Sequence, residues 1–177
     1  MQEQKKREAY RCLVIITDSH IREQLCEFLA DSHIPVYYQM HGIGTASSEW
    51  LELCGLGSIQ KSITLCFIPN GRKKILLAEM NQALSLHKKG TGIAVSIPMN
   101  GMQGFLYKLL NEHTAESDGE EVEKEVKKMS EPITHAMILV TINQGYSDAV
   151  MNTARAAGAT GGTILKGLRC SPGKSAV

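Results

Sequence analysis

No run of apolar residues in this sequence approaches the ~18–20 needed to cross a bilayer, which speaks against an inserted membrane protein. The first residues, MQEQKKREAY, are charged and lack the apolar core of a secretory signal, so the expectation is a cytoplasmic protein. Charge of one sign is scarce too: 19 Lys and Arg against 18 Asp and Glu leave a net charge of +1, with no global pull toward nucleic acid or an anionic membrane. CxxC pairs are absent. The five cysteines, Cys12, Cys26, Cys54, Cys66 and Cys170, have no metal-type spacing, and an odd count in a cytoplasmic chain reads as free thiols. Cys12, Cys26 and Cys66 fall in apolar patterns and are expected in the core, whereas Cys54 is the candidate for a reactive thiol. The six histidines show no helical or hairpin spacing, so no metal site is expected. No GxSxG elbow surrounds Ser47 or Ser48, and no acid–base pair stands out beyond Glu49 and Glu52, so the chain does not read as an enzyme.

Regular apolar patterning, by contrast, is plentiful. Residues 11–17 (RCLVIIT) are a short β-branched run and read as a buried strand. Asp18 or Ser19 can cap a helix in which Ile21, Leu25, Phe28 and Leu29 recur at helical spacing. His33 and Pro35 stop that helix. Val36, Tyr38 and Met40 alternate with Tyr37, Gln39 and His41 as a second strand. Ile63, Leu65 and Phe67 make a third, closed by Pro69-Asn70-Gly71. A second helix is predicted over residues 72–86, with Leu76, Met80, Ala83 and Leu84 as its stripe and Ile75 alongside. Lys88-Lys89-Gly90-Thr91-Gly92 turns the chain into a fourth strand over 93–98. The order β-α-β-β-α-β predicts an α+β, ferredoxin-like unit: one antiparallel sheet with both helices on one face.

Residues 102–110 are apolar and helix-like, suited to covering the sheet or a neighbouring subunit. Residues 111–132 are charged and poor in aromatics and read as a linker. The pattern then restarts. Residues 136–142 (AMILVTI) read as a strand, Ser147 as the cap of a helix over 148–157, and 159–167 as another strand. A shift of 125 residues lays strand on strand and helix on helix, so the chain carries an internal repeat. The expected organisation is a complete unit over 10–110, a linker over 111–132, and a shortened second unit over 133–177 that ends after β-α-β.

The longest departure from regular patterning lies between the second and third strands. About twenty residues hold Gly42, Gly44, Gly55 and Gly57 together with Trp50, Leu51, Leu53, Cys54 and Leu56. Loops of this length inside a compact domain are usually functional. The glycines would let backbone N–H groups approach a ligand, and the apolar side chains would dock on a partner, with Trp50 as anchor. A loop packed on its own apolar residues fits the same stretch.

Gly42-Ile-Gly-Thr-Ala-Ser-Ser-Glu followed by Gly55-Leu-Gly resembles the start of the long loop in PII-type nitrogen regulatory proteins, closest to their divergent, sometimes tandem, PII-like branch. Gly90-Thr-Gly-Ile-Ala-Val-Ser-Ile-Pro is similar to that family's second ligand loop, and 138–148 and 156–164 resemble its first strand, helix start and second strand. The resemblance implies a non-enzymatic regulator that assembles as a homotrimer and binds adenine nucleotide (ATP, ADP or AMP) in clefts between subunits. It implies further that the long loop controls a partner such as a transporter or a nitrogen-metabolism enzyme. By position, Gly42, Gly44 and Thr45 would line one edge of the cleft, and Lys88, Lys89, Gly90, Thr91 and Gly92 would form the phosphate loop. Trp50, Leu51, Leu53 and Leu56 would face the partner. The sequence departs from the family at Ile93, which stands where a lysine usually follows the second glycine. The other reading is a ligand-independent ferredoxin-like assembly module, in which the long loop is a fixed contact.

Overall fold

The computed structural model describes residues 9–43, 60–88, 91–113 and 136–171. The elements are β1 (Tyr10–Asp18), α1 (Arg22–Asp31), β2 (Tyr37–Ile43), β3 (Gln60–Pro69), α2 (Lys73–Leu84), β4 (Gly92–Pro98), α3 (Gly104–His113), α4 (Ser147–Ala156) and β5 (Gly167–Cys170). The sheet runs β4-β1-β3-β2-β5, and every neighbouring pair is antiparallel. Its first four strands with α1 and α2 form the ferredoxin-like βαββαβ unit. Such an order separates β1 from β2: each pairs with β3 and neither with the other.

Alternation along the strands builds two cores. Leu13 and Ile15 of β1, Tyr37 of β2, and Cys66 and Ile68 of β3 point to one face, where they meet Leu25 and Leu29 of α1 and Leu76, Met80 and Leu84 of α2. These helical residues belong to the stripes that sequence spacing predicts. Ile75, expected beside its stripe, is exposed. On the opposite face Tyr10, Cys12, Val36 and Phe67 pack under α3, which contributes the buried Leu110 and the partly buried Leu106, Tyr107 and Leu109. Tyr10 also donates from its phenol to Asn111 Oδ1 at 2.6 Å and meets the Tyr107 ring edge-on at 5.7 Å. The third helix therefore covers the face that α1 and α2 leave, and it runs on to His113, into the stretch expected to be a linker.

Helix ends differ from the expected caps. Neither Asp18 nor Ser19 caps α1: a 3-10 turn over Ser19–Ile21 intervenes, and no side chain bonds to the helix start. At the other end His33 takes a left-handed conformation (φ 56°), with His33 N–H bonded to Ala30 O and Ile34 N–H to Leu29 O. That is the Schellman arrangement that closes a helix. Arg72 donates from Nη2 to Ser32 O at 3.3 Å, at the negative end of α1.

The repeat is half realised. Arg22–Asp31 shifted by 125 residues falls on Ser147–Ala156, and α4 has those bounds. Ser147 opens α4 rather than capping it, since Tyr146 holds the cap position without a side-chain bond. The two strands expected beside α4 do not form. Residues 136–142 and 159–166 carry no strand structure, and Ile138 is 85% exposed. The physical reason lies in the strand order: β1 and β2 of the first unit are held by β3 between them, and the described residues after α4 include no equivalent of β3. Among the described residues of the repeat, the strand that finds a partner is Gly167–Cys170, on the edge of the first unit's β2.

Candidate functional site

One end of the sheet gathers the described residues that the sequence points to. There β1 and β2 finish and β3 and β4 begin, so His41, Ser62, Thr17 and Gly92 stand in one row across four strands. Gly42, Lys61 and Asp18 form the next row outward. Gly42 and Gly92 thus share an end of the molecule but lie near opposite margins of the sheet. With two strands between them, strand spacing puts them about 14 Å apart. A single chain does not bring them into contact. Gly44, Thr45, Trp50, Leu51, Leu53, Cys54, Leu56, Lys89 and Gly90 lie outside the described residues.

The described members of the second loop have local structural tasks. The Thr91 hydroxyl is within 2.9 Å of both Ser85 O and Lys88 O, to either of which it can donate, so it closes the turn after α2. Ser85 itself is left-handed (φ 53°) at the end of that helix. Gly92 has φ +154°, and a Cβ there would stand 2.5 Å from Ile16 O and 2.9 Å from Thr17 Cγ2. Only glycine lets β4 start this close to β1. A side chain at Gly92 would push the strands apart, so such a substitution perturbs the sheet as well as any bound ligand. Gly42 is more permissive, because an added Cβ would meet only the tip of Ile63, at 3.1 Å. Lys88 is exposed beside the turn, and His41, one residue before Gly42, is exposed as well.

Sequence reading misses two groups at this end. The first is an ion pair between Lys61 and Asp18, which are 6% and 5% exposed. Strand alternation alone would place Lys61 and Asp18 on neighbouring strands only if the β1–β3 register were known. The second is a set of hydroxyls on the helix-facing side: Thr17 Oγ1, Ser62 Oγ and Thr64 Oγ1 are buried and find no hydrogen-bond partner among the described residues. Gln39, also buried, extends this strip. Its amide oxygen accepts from Arg22 Nε at 3.0 Å, and its nitrogen donates to Cys26 Sγ at 3.1 Å. The visible signal is the polar alternation of Lys61-Ser62-Ile63-Thr64, which by itself marks only the start of a strand.

Burial sets the thiol chemistry. It pushes the Cys66 thiol up to about 12 and raises Cys12 as well, so both behave as small apolar core groups. No group of three or more His, Cys, Asp or Glu side chains among the described residues could hold a metal ion. Among the same residues, no helix is long and apolar enough to cross a membrane.

No family model and no curated protein matches the sequence. Among solved structures the chain is similar to a Bacillus cereus protein related to NIF3, with a TM-score of 0.40 and 14% identity over 53% of this chain and 26% of that one. It is similar also to the divalent ion tolerance protein CutA1 from Ehrlichia chaffeensis, with a TM-score of 0.42 and 9% identity over 62% of this chain and 98% of that one. The chain therefore spans about a quarter of the NIF3-related protein and almost the whole of the other.

Proposed function

We propose that the chain is a PII-like regulator that binds an adenine nucleotide between subunits of a homotrimer and controls a partner protein through the loop after Gly42. The observation that carries this reading is the placement of Gly42 and Gly92 at one end of the sheet, near opposite margins. A site divided in that way is completed when the β2 margin of one copy meets the β4 margin of another. The sheet offers a surface for such assembly. On the face that α3 covers only in part, Ile93 and Val95 are 56% and 49% exposed, beside the half-buried Val14, Ile16, Ile63 and Leu65. Monomers seldom leave contiguous apolar surface of this kind in water. β5 covers β2 only as far as Met40, so among the described residues His41, Gly42 and Ile43 have no ladder partner on that side. Lys88 supplies a cation beside the turn of Thr91. Ligand bound there would favour one arrangement of the loop and so gate the partner.

The test is native mass spectrometry of the full chain with and without ATP, ADP and AMP, alongside calorimetry. The expected result is a trimer that takes up nucleotide. Lys88→Glu, a change at an exposed side chain, should weaken binding by about tenfold or more, the size of one charge-assisted phosphate contact. An oligomer that gives no heat with any of the three nucleotides removes the ligand part of the proposal.

A second reading, a ligand-independent assembly module, is favoured by specific contacts. Thr91 spends its hydroxyl on the turn, Gly92 is required by the approach of β4 to β1, and Lys61 is matched by Asp18. In that case protease cutting of the loop after Gly42 will not change with nucleotide.

A further inference from the structure

Cys26 and Cys170 stand far apart in sequence and meet at one amide. β5 sets Cys170 opposite Tyr37 in the β2–β5 register. α1 lays Cys26 over the same part of β2, where Gln39 Nε2 donates to Cys26 Sγ at 3.1 Å. The Cys170 thiol donates to Oε1 of the same Gln39 at 3.8 Å, so the two sulfurs flank a single side-chain amide. The phenol of Tyr37 lies against both thiols and hydrogen-bonds with Cys26; burial first, then these neighbours, raise its pKa.

The two thiols differ in access. Cys26 is half-buried and lines a surface cavity of about 710 Å³ with Ser19, His20, Arg22, Glu23 and Glu27. Cys170 is buried. From this geometry we infer that Cys26 and Cys170 form an oxidation site, closed to a disulfide by hydrogen peroxide. The Cys26 thiolate, reached through the cavity, attacks one peroxide oxygen. The O–O bond breaks, Cys26 becomes a sulfenic acid, and the leaving hydroxide departs as water after taking up a proton. The Cys170 sulfur then attacks Cys26 Sγ. The S–S bond forms as the S–O bond breaks, and the second hydroxide leaves as water with the Cys170 proton. Two thiols and one peroxide thus give one disulfide and two waters, with two electrons passed to the peroxide. Burial raises the Cys170 thiol, against a smaller opposing pull from Arg22, which suits the resolving role rather than the attacking one.

Bond formation needs the Gln39 amide to swing out from between the sulfurs, and that motion frees Arg22 from Oε1. The product ties β5 to α1. β5 is four residues long and sits at the edge of the sheet, so it is the strand with least to hold it. Oxidation would change it from the loosest strand to a covalently anchored one. This inference is independent of nucleotide binding.

The test treats the reduced full chain with hydrogen peroxide, blocks remaining thiols, and maps the bonds after digestion with trypsin and a Glu-specific protease. The expected product joins the peptide 24–27 to the peptide 170–174, disappears on reduction with dithiothreitol, and is absent from Cys170→Ser. In the oxidised wild type, backbone amides of Gly167–Cys170 should exchange about tenfold or more slowly, as expected when local opening is suppressed. Cys26 found only as a blocked thiol or sulfinic acid while Cys170 is blocked overturns the inference, as does Cys26 joined to Cys54. A mapped Cys26–Cys170 bond with unchanged exchange overturns the anchoring of β5.

Discussion

The ion pair of Asp18 and Lys61 takes two charges out of water, and each is tolerable only beside the other. Asp18→Asn should therefore lower stability by about 3–5 kcal/mol, because it leaves a buried ammonium unmatched. Asp18→Leu with Lys61→Met should recover most of that loss, since both apolar replacements fit a face already lined by Ile16 and Ile63; urea midpoints of the three proteins settle the comparison. Cys66 gives a second residue-scale outcome. Its folded pKa, about 12, lies above the ordinary thiol value of 9.0. Below pH 9 both states keep the proton and stability is unaffected. Between about 9 and 12 the unfolded chain ionises first, so stability falls as pH rises, by up to about 1.4 kcal/mol per pH unit from this group. Cys66→Ala should unfold at lower urea overall yet show a shallower alkaline slope. The sequence places Cys66 in the core, as found, but shows neither the ion pair nor how deeply the thiol lies. The Asp18–Lys61 pairing depends on register between strands more than forty residues apart, and the depth of Cys66 depends on both helices above it.

At the scale of elements, sequence spacing is informative wherever one element meets one surface. The stripe Leu76, Met80 and Leu84 of α2 and the pair Leu25 and Leu29 of α1 are legible because helical periodicity reports a single buried face. Met80→Ala should accordingly cost about 2–5 kcal/mol, while Ile75→Lys on the exposed side should change stability little; thermal melts of the two variants give the contrast. Strands are legible only when their neighbours are present. Residues 136–142 have the same β-branched composition as β1, yet they form no ladder, because β-structure is a property of pairs. α4 needs no partner for its backbone bonds and forms in the place the repeat predicts. The candidate site is legible to the same degree. Gly42 and Gly92 can be placed at the ends of strands, but the tasks of Thr91 in its turn and of Gly92 against Ile16 O depend on atoms from elsewhere in the chain.

For the molecule as a whole, the two faces of the sheet are unequal. One is sealed by α1 and α2, and the other is covered by α3 at one end and left apolar toward Gly42 and Gly92. If that open region is where copies meet, Val95→Lys should convert the assembly to monomers without unfolding them, as read by light scattering and circular dichroism together. A Val95→Lys protein that keeps the mass of the wild type places the contact elsewhere. The margins of the sheet are unequal too. Among the described residues β4 pairs only with β1, whereas β5 closes most of the β2 edge. Fibre growth by strand addition requires two receptive borders on every unit, one to accept and one to extend. By docking its own four-residue late segment on the seven-residue β2, the chain shortens the border at that margin, so strand-by-strand growth there has few backbone groups to grip.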